Sequence, residues 1–307
     1  MISKSSIIFI FLFTICKSSF SQQDPQYTQY MYNTMSVNPA YAGSNGHTII
    51  TLLGRTQWVG LAGAPDTQTL SYDTSLGYSS IGLGMNLTND RIGPASEIYL
   101  DANISYTVRM GKEGNLAFGL KLGGRYFNVD WNKGTVQNRN SKFLRNGNIN
   151  EFLPTIGAGI YYHSPKWYLG LAIPNIIGTD HYNDAENGGD VSHERLHFFG
   201  IAGYVFDISE ILKFKPAILT KIVSGAPISI DVSGNFLFSE KITTGLAWRW
   251  GDSLSALLGF QATQNLNVGF AYDLTTSNYS NYNSGTYEIL IRWNIFKEQV
   301  MKSTRFY

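Results

Sequence analysis

Between residues 226 and 296 apolar and polar side chains alternate almost one for one, and few chains can accommodate that pattern. Ile228, Ile230, Val232, Phe236 and Phe238 alternate with Ser229, Asp231, Ser233, Asn235 and one leucine. The pattern returns in Ile242, Thr244, Leu246, Trp248 and Trp250, in Leu254, Ala256, Leu258 and Phe260, in Leu266, Val268, Phe270, Tyr272 and Leu274, and in Tyr287, Ile289, Ile291, Trp293 and Ile295. Successive strand residues point to opposite faces, so each segment is a strand with one greasy and one mostly polar face. Only a few turn residues separate the segments, which makes them hairpins.

The first residues narrow the environment of those faces. Lys4 precedes the apolar run Ile7 to Ile15, and Ser19, Phe20 and Ser21 follow with small residues suited to cleavage before Gln22. This reads as a secretory signal over 1–21. The run is about half as long as the ~20 residues a helical span needs. Cys16 is the single cysteine; bulky Ile15 before it argues against lipoprotein processing, and cleavage at 21 leaves no cysteine. Removing Lys4 and Lys17 takes 23 basic residues to 21 against 22 acidic ones, a net of −1. Such a balance gives no attraction to nucleic acid or an anionic bilayer surface.

The chain is 43% hydrophobic, 14% aromatic and only 15% charged, where about 25% charged is usual. No later apolar run reaches the ~20 residues of a membrane helix. Two classes remain: a large soluble β protein, or a closed β-barrel in an outer membrane.

About fourteen strands are expected. The first nine are near His47 to Trp58, Thr67 to Leu76, Ile81 to Asn89, Glu97 to Arg109, Leu116 to Asn128, Phe152 to His163, Trp167 to Ile173, Leu196 to Phe206 and Ile211 to Val223. Two are irregular. Leu196 to Phe206 is apolar on both faces, and Pro216 should cost a ladder bond in its strand unless it sits at a bulge. Long gaps at 59–66, 90–96, 129–151, 174–195 and 275–285 all fall on one parity, and the intervening gaps are short. Bacterial outer-membrane barrels have short periplasmic turns and long outer loops, whereas a soluble sandwich gives no reason for the asymmetry. Tyr106, Tyr126, Trp131, Tyr162, Trp167, Trp248, Trp250 and Trp293 lie toward strand ends, where aromatic girdles sit. The expected fold is all-β: a transmembrane antiparallel β-barrel over 47–296, preceded by a periplasmic segment or plug over 22–46 and followed by a periplasmic tail over 297–307.

Chemical motifs are weak. His193, Glu194, Arg195, Leu196 and His197 match H-E-x-x-H, but zinc ligation needs both histidines on one helical face. In an extended chain residues four apart are roughly 13 Å apart, so a helix over 190–198 would be required. The loop 180–190, with Asp180, Asp184, Glu186 and Asp190, has oxygen ligands without EF-hand spacing. No G-x-S-x-G elbow appears, and a hydrolase would need a serine beside a wall histidine such as His163. No catalytic residue, cofactor or metal is expected. Asp101, Asp231, Asp273, Glu288 and Arg292 fall on the polar face, where they line a pore, hold a plug or bond one another.

Segment by segment the chain resembles the PorP/SprF outer-membrane proteins of type IX secretion and gliding motility. The likeness runs through Gln23, Asp24, Pro25, Gln26 and Tyr27, Gln29, Tyr30 and Met31, and Asn38, Pro39, Ala40, Tyr41, Ala42 and Gly43. It continues in Arg55, Gln57, Trp58, Val59 and Gly60, in Gly63, Ala64 and Pro65, in Gly82, Leu83 and Gly84, and in Asn89, Asp90, Ile92, Gly93 and Pro94. Tyr168 to Leu171, Pro174, Asn175, Gly225 to Pro227, Ser253 to Gln261, Ala271 to Asp273 and Tyr282 to Gly285 carry it to the end. The family tends to close on Ser-Pro-Arg and two aromatics; here Thr304 stands in the proline's place. The resemblance implies a barrel without chemistry of its own. It would support export or surface attachment of a large partner such as an adhesin, and contact periplasmic ring and peptidoglycan-binding components. Gln23, Asp24, Pro25, Gln26, Tyr27, Tyr30, Asn38, Pro39 and Tyr41 are the candidate partner-contact or plug residues. A diffusion channel for a small solute is the alternative.

Overall fold

The computed structural model describes residues 25–77, 80–130, 149–177, 180–181, 192–193 and 195–295. The expected signal over 1–21, Gln23, Asp24, Trp131, most of loop 180–190, Glu194 and the expected tail over 297–307 lie outside them.

Fourteen antiparallel strands close into a barrel. They are β1 (Thr48–Thr56), β2 (Asp66–Ser75), β3 (Ile81–Ile92), β4 (Ala95–Met110), β5 (Gly114–Val129), β6 (Ile149–His163), β7 (Trp167–Ile173), β8 (His197–Tyr204, resumed at Phe206–Asp207), β9 (Leu212–Val223), β10 (Ser229–Phe238), β11 (Ile242–Arg249), β12 (Ser253–Gln261), β13 (Leu266–Thr275) and β14 (Thr286–Ile295). Each strand pairs with its neighbours in sequence, and β1 pairs with β14 from Thr48↔Ile295 to Thr56↔Tyr287. No edge is left open, as a lipid environment demands of a sheet.

Alternation decides the faces. In β14, Tyr287, Ile289, Ile291, Trp293 and Ile295 point outward and are exposed, while Thr286, Glu288, Leu290, Arg292 and Asn294 are buried within. The outer wall is an apolar band, with Leu120, Leu122, Leu171, Leu246 and Leu258 among its most exposed members. No helix among the described residues is long and apolar enough to cross a membrane; the strands do so. Tyr106, Tyr126, Trp167, Trp248, Trp250 and Trp293 face outward from strand ends, and Tyr162 packs on Trp167 with ring centroids 4.4 Å apart.

One expectation needs revision, and the two irregular strands find their reasons. The gap 90–96 is not a long loop: β3 and β4 run on until only Gly93 and Pro94 remain between them, with Gly93 at φ 57° making the turn. The gaps longer than five residues, 57–65, 130–148, 174–196 and 276–285, still share one rim, taken here as the outer one. Pro216 sits at no bulge. The register between β8 and β9 is the same before and after it (Gly203↔Ala217, Phe206↔Phe214), and the ladder lapses between these pairs. On the other side of β8 the ladder to β7 runs on, with Val205 N–H donating to Lys166 O at 2.7 Å. Strand β8 is apolar on both faces because its inner side chains Phe199 and Ile201 pack against something inside the barrel.

Candidate functional site: a lumenal strap and its cradle

That something is the chain's own beginning. Residues 25–46 lie within the lumen as a strap of three 3-10 turns, Tyr30–Tyr32, Thr34–Ser36 and Pro39–Tyr41. The sequence fits such tight turns: Asn38 caps the last one by accepting from Ala40 N–H at 3.0 Å, and Pro39 follows at the first helical position. Sequence reading had offered a periplasmic position ahead of β1 as well as a plug. The described residues run instead from the turn rim up through the barrel, so Gln26 lies near the outer rim.

The body of the strap is held by shape. Met31, Met35, Val37, Ala40, Tyr41 and Ala42 form one apolar cluster with wall residues Ala117, Tyr161, Tyr168, Phe199, Ile201 and Leu219. Tyr41 meets Tyr161 edge-on at 5.4 Å. Where the strap presses closest, the wall carries glycine. A side chain on Gly82 would strike Ala42, on Gly84 Met35, on Gly119 the Ala40 backbone, on Gly159 Asn38 and on Gly269 Gln29. Polar groups finish the seat. Ser105 donates to Ala42 O at 2.6 Å, Asn38 Nδ2 to Ile160 O at 3.1 Å, and Gly43 N–H to Asp73. Arg292 donates to Tyr32 O at 3.4 Å.

The head of the strap is held by charge. Glu288, 0% exposed, accepts both Thr28 N–H at 2.9 Å and Gln29 N–H at 2.8 Å. Thr28 Oγ1 donates to Asp273 at 2.8 Å. Arg55 ties the two carboxylates together, at 2.9 Å from Asp273 and 3.0 Å from Glu288. One guanidinium against two carboxylates leaves a deficit of positive charge in a buried place, which would be unfavourable unless other donors compensate. The strap's two amide N–H groups and its hydroxyl are those donors. Beside them Gln26 Nε2 donates to Asp231 Oδ2 at 2.8 Å, and Arg249 grips Asp231 through two nitrogens at 2.7 and 3.1 Å. Tyr27 bonds Thr69 at 2.8 Å and Tyr30 bonds Ser233 at 3.3 Å.

The candidate lumenal residues therefore divide. Asp231, Asp273, Glu288 and Arg292 all meet the strap. Asp101 lies apart, paired with Lys121 at 3.2 Å and accepting from Thr155 at 3.0 Å, where a recess of about 70 Å³ separates the wall from Pro25, Tyr27 and Val37. Gln23 and Asp24 are outside the described residues. Sequence reading did not single out Arg55, Arg249, Thr28 or the wall glycines as site residues. A charged residue at an inward position of an alternating strand was the available signal for Arg55.

The metal motif has no support in local geometry. Ser192–His193 pairs with Asp180–His181 as a short strand ladder, and His197 opens β8. His163 packs at a tilt against Tyr161, with centroids 5.6 Å apart. Among the described residues, no three His, Cys, Asp or Glu side chains gather as metal ligands.

A family profile described as "Type IX secretion system membrane protein PorP/SprF" matches residues 19–293. No curated protein sequence matches the chain. Among solved structures, the chain is similar to the CymD monoaromatic hydrocarbon channel, with 9% identity, TM-score 0.51, and coverage of 87% of this chain and 94% of that one. A FadL homologue of Pseudomonas aeruginosa gives 12% identity, TM-score 0.47, and coverage of 90% and 96%.

Proposed function

The chain belongs to the PorP/SprF family of type IX secretion system membrane proteins and is an outer-membrane barrel; from that premise we propose that it acts without catalysis, as a filled barrel that supports export or surface attachment of a secreted partner such as an adhesin. The observation that carries this reading is the strap. Residues 25–46 are bonded to β1, β2, β3, β4, β6, β10, β13 and β14. A solute pathway is served by an open lumen; a lumen crossed by a tethered and ion-paired segment suits a rigid membrane anchor better. The turn rim, where the strap joins β1, is the face offered to periplasmic ring and peptidoglycan-binding components of the machinery.

The test is deletion and localisation. Loss of the gene should leave the cognate surface protein in the periplasm or released to the medium, with the barrel itself fractionating in outer membranes. Normal surface display in the deletion strain would refute the reading. A diffusion channel is the second reading, favoured by the likeness to the CymD hydrocarbon channel. Discrete conductance steps of the purified chain in planar bilayers would support it.

A further inference from the structure

The strap is fastened in two unlike ways. From Met31 to Gly43 it is interlocked with glycine notches and apolar wall residues, and Ala40 is 0% exposed. From Pro25 to Gln29 its polar contacts go to side chains of the outer ends of strands, and Pro25 and Gln26 remain half-exposed. Steric interlock resists removal until the wall itself moves. Hydrogen bonds to carboxylates can instead be exchanged for equivalent bonds from another donor.

The cradle specifies what that donor must be. Glu288 uses both carboxylate oxygens on two consecutive backbone amides, and Asp273 accepts from the hydroxyl of the first of those two residues. Consecutive amides are a property of any polypeptide backbone. Arg55 fixes both acceptors from behind and donates to the same Thr28 hydroxyl at 2.9 Å. Tyr27 adds a side-chain slot, packed with Leu53 and Leu290.

We propose that Arg55, Asp273 and Glu288 form a peptide-binding site in the outer half of the lumen, filled here by residues 26–29 and open to an extended segment of a secreted partner when that head swings out. The ligand class is an uncharged peptide carrying an aromatic residue followed by a hydroxyl residue. The proposal rests on the reading above that a secreted partner is engaged, and adds where and how.

Two measurements on the full-length chain test it. In a Cys16→Ser background, Gln26→Cys should react with a membrane-impermeant maleimide on intact cells, and Ala40→Cys should not. Absence of labelling at Gln26→Cys overturns the outward placement of the head. The second uses an acetylated and amidated fluorescent peptide of residues 25–32, which carries no charged side chain, and detergent-purified barrels. Thr28→Pro removes both the amide and the hydroxyl donor of that residue from the resident head, so the added peptide should bind that variant at least about tenfold tighter than the unaltered chain, the effect of even one lost hydrogen bond to a charged acceptor. Adding Glu288→Gln should abolish the gain. Thr28→Val, lacking only the hydroxyl, is the milder variant, with a smaller gain. A barrel with native heat-modifiable gel migration that binds no peptide, or binds equally well with Glu288→Gln, overturns the site. Either outcome leaves the secretion role standing if surface display of the partner is still lost on deletion.

Discussion

Gly119 of β5 and Ala40 of the strap meet backbone to backbone, so closely that a Cβ on the glycine would overlap the Ala40 nitrogen and Cα. Wall and strap are thus fitted to each other at the one residue type that permits contact. Strands β3, β6 and β13 also make room for the strap, through Gly82 and Gly84, Gly159, and Gly269.

Gly119→Val should therefore unseat the strap. Overpacking of this kind costs about 1–3 kcal/mol, and the temperature at which the folded band converts to the unfolded one on gels should fall. Gly54, with open space around its Cα and ordinary φ, is the control; Gly54→Ala should leave that temperature unchanged.

Arg55→Met should be more damaging than Glu288→Gln. The first leaves two buried carboxylates without their shared cation, and breaking a buried pair from one side costs about 3–5 kcal/mol. The second keeps an acceptor for one strap amide. Thermal unfolding of the two purified variants should show the larger loss for Arg55→Met, and an equal loss would show that the charge balance of the cluster does not matter.

Leu120, 58% exposed near the middle of β5, faces the bilayer. Leu120→Arg should cost about 2–4 kcal/mol there and lower the amount of barrel in outer-membrane fractions. Asn103→Gln, inside the barrel, should not have this effect on fractionation.

Loops 57–65 and 276–285 are joined at the outer rim. Val59 and Gly285 share a hydrogen bond of 2.9 Å, Ser284 N–H reaches Val59 O at 2.7 Å, and Trp58 stacks on Tyr279 at 5.6 Å. Tyr279→Ala removes an aromatic pair contributing about 0.5–1.5 kcal/mol. On intact cells, protease added from outside should cut one of these loops faster in the variant, with no change at the 239–241 turn on the opposite rim.

Nearly all of the barrel was legible because strand alternation is local: an inward Glu288 between outward Tyr287 and Ile289 needs only its neighbours to be read. Gly93 and Pro94 were misjudged as part of a long loop because the strands beside them extend past the membrane band, where polar Asn89, Asp90 and Ser96 carry no alternation signal. The strap was harder. Its seat depends on glycines in four distant strands and on charges brought together from β1, β13 and β14, and spacing along one sequence does not encode such convergence. Asp273 and Glu288 were visible as inward polar residues; that they share Arg55 and grip Thr28 was not.

Arg55 and Glu288 face each other across the junction of the first and last strands. The barrel closes at that seam, and the head of the strap is bonded to both residues from inside. A slip of one residue between β1 and β14 would turn a charged side chain toward lipid and separate it from the strap's amides. The pair therefore fixes the register: only one alignment of the seam sets the cation against both carboxylates and beside the strap's amides.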